Sequence, residues 1–376
     1  MTNLGEHLIA AARAQPDHVA LRCDDLPVTY TEFDAAARRV ATLLARAGVQ
    51  PGDRVGVMLP NTPAFAIAFY GIMDRGAVAV PMNPLLKAGE IEFYLSNTGA
   101  VALFATPVFA NEASAAAGTA GVRACWIVDD AALDDLTAGL PGHTPEPRDD
   151  TDTAVILHTS GTTGKPKGAQ LTHGGLHRNA EITARTLIEI GHADVVIGCL
   201  PLFHVFGLTA ALNASVLAGA TLTLIERFDP HKALEVIERD RVTVFEGVPT
   251  MYSALLQGTR RCCRVLGAAA GYSALLQAAG CVSPTATQTL RTAVSGGTPL
   301  PVQVINEFEK TFSCVILEGY GLSETSPIAS FNHPHRVRKS GSIGTPIEGG
   351  RCEWSTPKAT HCPSGKPEKS RSEGTT

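Results

Sequence analysis

The densest chemistry in this 376-residue chain lies at residues 158–168, His-Thr-Ser-Gly-Thr-Thr-Gly-Lys-Pro-Lys-Gly, directly after an apolar run at 154–157. Its three glycines and four hydroxyl residues allow close backbone approach and offer many N–H and O–H donors, the set that a polyphosphate requires. Lys165 and Lys167 add positive charge. The spacing is not that of a Walker A loop, because Gly161 is followed four residues on by Lys165 and no Ser or Thr follows a Gly-Lys pair. Neither Ser160 nor Ser295 sits in the G-x-S-x-G elbow of a hydrolase nucleophile. On composition alone the stretch is equally well a solvated loop.

Three further segments set functional side chains among glycines or apolar residues: PLFHVFG at 201–207, GGTPL at 296–300 and GYGLSE at 319–324. Taken singly, each has an ordinary structural explanation. His204 fits a satisfied core histidine, Gly296 to Pro299 a turn, Tyr320 a core or rim aromatic, and Ser323 with Glu324 a helix cap.

Loops of this kind need rigid elements to hold them, and the sequence supplies an alternating rhythm. Thr31 and Asp34 resemble a capping box; Phe33, Ala37, Val40, Leu44 and Ala47 share one helical face; Gly48 gives the stop. A strand at 54–59 follows, Pro63 opens a second helix, and a strand runs over 77–80. Strands at 101–105, 125–128, 154–158 and 195–199, with a helix over 174–188, continue the pattern. This predicts an α/β architecture with largely parallel sheets. Residues 206–225 carry no charge over about twenty positions, the length of a membrane span. Asn213 and Gly219 interrupt that run and 221–225 reads as a separate buried strand, so no transmembrane segment is assigned. Two regions break the rhythm. YSALLQ at 252–257 recurs at 272–277 around a basic, cysteine-rich piece, which marks 258–280 as an insertion or local duplication in a surface connection. The tail beyond 350, rich in Ser, Thr, Pro, Lys and Gly, predicts disorder.

A chain that is 44% hydrophobic and 18% charged can bury a sizeable core. Its net charge of −5, with basic residues scattered, gives no electrostatic footprint for nucleic acid. The first eighteen residues lack a signal-peptide pattern and read as an amphipathic surface helix. Nine cysteines without a C-x-x-C pair suit a reduced, cytoplasmic compartment. Nothing in the sequence sets an oligomeric state.

The string TSGTTGKPKG at 159–168 is similar to the phosphate-loop signature of the adenylate-forming superfamily of acyl- and aryl-CoA synthetases, peptide-synthetase adenylation domains and luciferases. The other three segments follow in that superfamily's order, and PLFHVFG with EGYGLSETSP most resembles bacterial fatty-acyl-CoA ligases. The resemblance implies a large N-terminal adenylation domain of two packed, largely parallel α/β subdomains. It implies that a fatty (carboxylic) acid attacks the α-phosphate of ATP, giving acyl-adenylate and pyrophosphate, and that CoA then takes the acyl group and releases AMP. Such catalysis is mostly positioning and charge neutralisation. By the same resemblance, Thr159, Ser160, Gly161, Thr162, Thr163, Gly164 and Lys167 hold the β- and γ-phosphates. Glu324 ligates Mg²⁺ and Ser323 bonds the α-phosphate. Gly296, Gly297, Thr298, Glu318, Gly319, Tyr320 and Gly321 form the nucleotide side, with Tyr320 stacked on adenine. His204 stands where carboxylate and then thiol approach, so His204, Lys167 and Glu324 are the candidate catalytic residues. Phe203, Phe206, Val248 and Gly321, with His204, are the candidate acyl wall, suited to a hydrophobic chain because no acidic residue is placed to receive an α-ammonium.

Past residue 349 the superfamily continues into a small β-rich subdomain, a Tyr-x-Thr-Gly-Asp ribose motif, a hinge and a lid domain bearing a lysine. None of these motifs occurs in this sequence. The chain therefore reads as an incomplete AMP-binding domain over 1–349 and a non-family tail over 350–376. The competing reading is a truncated, non-catalytic remnant that binds nucleotide or acyl chain, or acts only as an interaction protein.

Overall fold

The computed structural model describes residues 3–159, 166–266, 289–339 and 341–349, and within them fifteen strands form two sheets. One sheet has the order β15-β14-β13-β12-β11-β9-β10-β1-β2. Its strands are β1 (Val19–Cys23), β2 (Leu26–Thr29), β9 (Val195–Gly198), β10 (Thr221–Leu224), β11 (Val244–Gly247), β12 (Thr292–Ser295), β13 (Val315–Gly321), β14 (Ile328–Phe331) and β15 (Thr345–Pro346). The other has the order β6-β5-β3-β4-β7-β8, from β3 (Arg54–Met58), β4 (Val78–Pro81), β5 (Ala100–Ala105), β6 (Ala124–Ile127), β7 (Thr153–Thr159) and β8 (Lys167–Thr172). Neighbours pair in parallel throughout, except β1 with β2, β13 with β14, β14 with β15 and β7 with β8. The expected α/β class with two largely parallel sheets is the observed one.

Local signals start the helices. α1 (Gly5–Ala14) buries Leu8 and Ala11 on one face. Thr29 caps α2 (Tyr30–Arg46): its hydroxyl accepts from the Glu32 N–H at 3.2 Å and the Glu32 carboxylate accepts from the Thr29 N–H at 2.8 Å. The cap thus lies two residues before the Thr31 and Asp34 pair favoured by the sequence. Thr31 is otherwise engaged, donating its hydroxyl to the Pro16 carbonyl at 2.9 Å. Phe33, Ala37, Val40 and Leu44 are all buried on the expected face. α3 (Pro63–Asp74) starts with proline and is buried along its whole length. It belongs to the buried cluster that joins the two sheets, with Val55 and Val57 from one and Leu222 and Val244 from the other.

The uncharged stretch at 206–225 divides as its glycine suggested. It forms a π-helical segment Gly207–Asn213, a short helix Ala214–Ala218 closed by Gly219 at φ +68°, and then β10. Among the described residues no helix is long and apolar enough to cross a membrane. The helix Pro249–Leu266 runs through the first YSALLQ copy, with Tyr252, Leu255 and Leu256 buried, so the suspected insertion is helical as far as 266. The second copy at 272–277 and the tail at 350–376 lie outside the described residues.

The chain leaves β9 to form β10 on one side of it and returns to form β11 on the other. That reversal makes the carboxyl end of β9 a topological switch point, where an open α/β sheet leaves a crevice between diverging connections. The amino ends of the same strands are pinned by Asp194. Its carboxylate accepts from Arg291 Nε and Nη2, both at 2.9 Å, and from Thr243 Oγ1 at 2.6 Å. The loop after β9 is held from the other sheet by Asn61, just beyond β3. Asn61 Nδ2 donates to the carbonyls of Gly198 (3.2 Å) and Leu200 (2.7 Å), and Oδ1 accepts from the Leu202 N–H (2.9 Å). The side chain is 4% exposed, so water cannot replace these bonds. Asn61→Ala should cost about 2–4 kcal/mol, the penalty of leaving buried backbone groups unpaired. A urea unfolding series checks this, and a change under half a kcal/mol is incompatible with the clamp.

Candidate functional site

A cavity of about 600 Å³ opens at the carboxyl ends of β12 and β13, beside the switch point. Four separate segments build it: His158 and Thr159 at the end of β7, His204 to Phe206 after β9, Val294 to Gly297 at the end of β12, and Gly319 to Glu324 at the end of β13. Pro327, Ile328 and Phe331 of the returning strand β14 complete the wall. The volume falls in the range of ordinary small-molecule sites.

Each wall has a local cause. Gly297 adopts φ +85°, a left-handed turn that exposes the peptide edge after β12, and Gly296 packs under the Phe206 ring, where a Cβ would meet Cε1 at 3.0 Å. Gly321 passes so close to the Pro327 carbonyl that any side chain would collide with backbone, which keeps the β13–β14 turn narrow. The hairpin is held from outside by Asn179 of the helix His173–Ile182. Its Nδ2 donates to the Ile328 carbonyl at 3.0 Å and its Oδ1 accepts from the Ile328 N–H at 3.3 Å. Between the flanking glycines Tyr320 is 43% exposed on the cavity rim, which removes the explanation of a core tyrosine. Glu324, also exposed, lies in the 3₁₀ turn Ser323–Thr325.

Two histidines face the cavity, and burial holds both below the ordinary histidine pKa, so both are neutral at pH 7. His204 Nδ1 accepts from the Phe206 N–H at 3.3 Å, which puts the ring proton on Nε2 and makes that edge a donor. His158 stacks on Tyr94 with ring centroids 3.9 Å apart and bonds Asn97 Oδ1 through Nε2 at 3.1 Å. Its Nδ1 is buried without a partner.

Of the residues singled out in the sequence, Thr159, His204, Phe206, Gly296, Gly297, Gly319, Tyr320, Gly321, Ser323 and Glu324 border this one cavity. Five others stand elsewhere. Lys167 opens β8 opposite Thr159, and it borders a neighbouring groove with Arg54, Asn97 and Gln170. Phe203 packs against the main core. Val248 lies behind Gly297, its Cγ1 3.5 Å from where a Cβ would sit, and Thr298 is exposed. Glu318 is buried beneath the cavity, where its Oε2 accepts from the Gly341 N–H at 3.0 Å and its carbonyl accepts from Asn332 Nδ2 at 3.0 Å. Ser160, Gly161, Thr162, Thr163 and Gly164 lie outside the described residues. His158, Ser295, Ile328 and Phe331 were not anticipated; only the position of His158 and Ser295 beside recognised motifs could have flagged them.

The sequence resemblance implies Mg²⁺ at Glu324. Among the described residues no three His, Cys, Asp or Glu side chains are arranged to hold an ion. One carboxylate at the cavity, Glu324, fits a cation that keeps waters and takes phosphate oxygens beside one or two carboxylates.

Behind the wall lies Glu246 of β11, fully buried, its carboxyl pushed by burial up to about 8. A carboxyl whose folded pKa is raised stabilises most below its unfolded value and loses that contribution as pH rises through the folded value. Glu246→Leu should therefore gain in stability relative to the parent between pH 5 and pH 9, by up to about 1.4 kcal/mol per pH unit. Paired thermal melts across that range check it; a pH-independent difference contradicts it.

The fold and cavity together define a class: an α/β domain with a small-molecule cleft built from loops beside the switch point of a largely parallel sheet. The family described as AMP-binding enzyme matches residues 8–363, and the chain belongs to it. It is 29% identical over 379 residues to a long-chain-fatty-acid–CoA ligase of Bacillus subtilis, covering 90% of this chain and 63% of that protein. It is 33% identical over 347 residues to a feruloyl-CoA synthase of an Amycolatopsis species, covering 91% of this chain and 64% of that protein. Among solved structures it resembles ATP-bound MatB from Rhodopseudomonas palustris, with a TM-score of 0.80 and 27% identity over 92% of this chain and 65% of that one. The chain thus spans under two thirds of the length of these relatives.

Proposed function

We propose that the cavity is the adenylation site of a carboxylic acid–CoA ligase: it binds ATP and an acid side by side and forms acyl-adenylate and pyrophosphate. In the full reaction CoA then takes the acyl group and AMP leaves. The observation that carries this reading is the convergence of four separate motif segments on one cavity. Tyr320 offers its face to adenine, and the peptide edge at Gly296 and Gly297 takes the rim of the base. The neutral His204 donates from Nε2 to the acid's carboxylate or the adjoining phosphate oxygen, which turns the nucleophile without adding charge. Thr159 and Ser323 supply hydroxyls on the phosphate side. Glu324 would hold Mg²⁺, which neutralises phosphate charge when bound.

Val205, Phe206, Val294, Ile328 and Phe331 give the acid an apolar setting, which supports a fatty or aryl acid over a small polar one. The relatives' names span both, a fatty acid in one and feruloyl in another. A cytoplasmic setting accords with four free cysteines among the described residues, Cys23, Cys125, Cys199 and Cys314.

Exchange of labelled pyrophosphate into ATP tests the reading. It should depend on added acid, stop with a chelator and return with Mg²⁺. Tyr320→Ala should weaken ATP binding about tenfold, the size of one lost stacking contact. Glu324→Gln should slow exchange roughly a hundredfold or more while ATP binding in metal-free buffer is unchanged. ATP binding without any acid-dependent exchange would instead mark a chain that binds but does not turn over.

A further inference from the structure

One polar side chain stands behind the apolar wall with nothing in the adenylation reaction to explain it. Glu246 is 0% exposed and, among the described residues, neither carboxyl oxygen has a hydrogen-bond partner. Register gives its direction. Glu246 is opposite Val294 of β12, residues opposite one another in neighbouring strands share a face, and Val294 borders the cavity. The alternate positions Phe245 and Ala293 pack on the other face, in the cluster with Tyr252 and Phe308. The Glu246 carbonyl is already engaged by the Cys199 thiol at 3.3 Å, so only the carboxyl is left over. Burial accounts for its raised pKa.

An apolar residue at 246 would continue the wall at no such cost, whereas a buried unpaired carboxyl is unfavourable even when neutral. We propose that Glu246 is the specificity-determining end of the acyl site and selects a carboxylic acid whose far end carries a hydrogen-bond donor, an ω-amino or ω-hydroxy acid, over a plain alkyl acid. The inference rests on the adenylation reading and adds the substrate class to it. An ammonium brought to Glu246 forms a charge-assisted bond and holds the carboxyl ionised. A hydroxyl donates to the carbonyl oxygen of the neutral acid. Val294 must turn aside to admit either group, a rotamer change of the kind interfaces routinely make on binding.

The probes are matched 5′-O-(N-acylsulfamoyl)adenosines of equal chain length, ending in methyl, hydroxyl or ammonium, in a short and a long series. Calorimetric titration should show the hydroxyl and ammonium forms binding at least about tenfold tighter than the methyl form. Glu246→Leu should reverse that order, and Glu246→Gln should keep the preference for hydroxyl while losing that for ammonium. Equal or tighter binding of the methyl form by the parent chain overturns the inference, as does a polar preference that survives in Glu246→Leu. A parallel titration with ATP separates the two levels. ATP binding with no preference among the analogues removes only this inference, whereas failure of ATP and all analogues removes the adenylation reading with it. Glu246→Leu replaces an unpaired buried carboxyl by a hydrocarbon, so it should fold, and a melt of each variant confirms that.

Discussion

The site depends on one amide. Asn61, at the end of β3 in one sheet, uses all of its bonds shown here on the backbone of 198–202 in the other sheet, the loop that presents His204. A parallel strand end leaves its carbonyls and N–H groups unpaired, and in a buried setting each must find a partner. Asn61 meets that requirement for three of them at once. It thereby fixes the spacing between the sheets at the point where the chain reverses around β9. The walls from β12 and β13 are held in turn by the Asp194 network at the amino ends of the strands and by Asn179 on the β14 hairpin. The cavity is therefore framed by polar side chains that satisfy backbone, and its interior is left largely apolar.

That division has chemical consequences. In the dry interior behind the wall an unpaired carboxyl such as Glu246 is costly. The same desolvation that lowers the histidine pKa raises the glutamate's, so both groups are neutral at pH 7. At the rim Glu324 is exposed.

Much of the fold was legible because period and punctuation carry it. The strands at 54–59, 101–105 and 195–199 were marked by short apolar runs between turn residues, and Pro63 and Gly219 marked a helix start and a helix stop. The Thr29 cap was missed because a competing Thr31 two residues on looks the same in sequence, and only its bond to Pro16 separates them. The site was legible where glycine spacing is itself the signal, as at 296–297 and 319–321, where a Cβ or a right-handed backbone would not fit. It was not legible where the cause is tertiary. Asn61, Asn179 and Glu246 each sit in segments whose local pattern is ordinary, and their roles come from partners more than a hundred residues away or, for Glu246, from having none.

The central claim is that the cleft between the β12 and β13 ends is where a nucleotide and an acid meet. A crystal structure of the chain grown with a non-hydrolysable ATP analogue tests it most directly. The account predicts density for the base between the Gly296–Gly297 peptide edge and the Tyr320 ring, with phosphates running toward Thr159 and Ser323. Nucleotide density in the groove beside Arg54 and Lys167 instead, with the Tyr320 cleft empty, would contradict it.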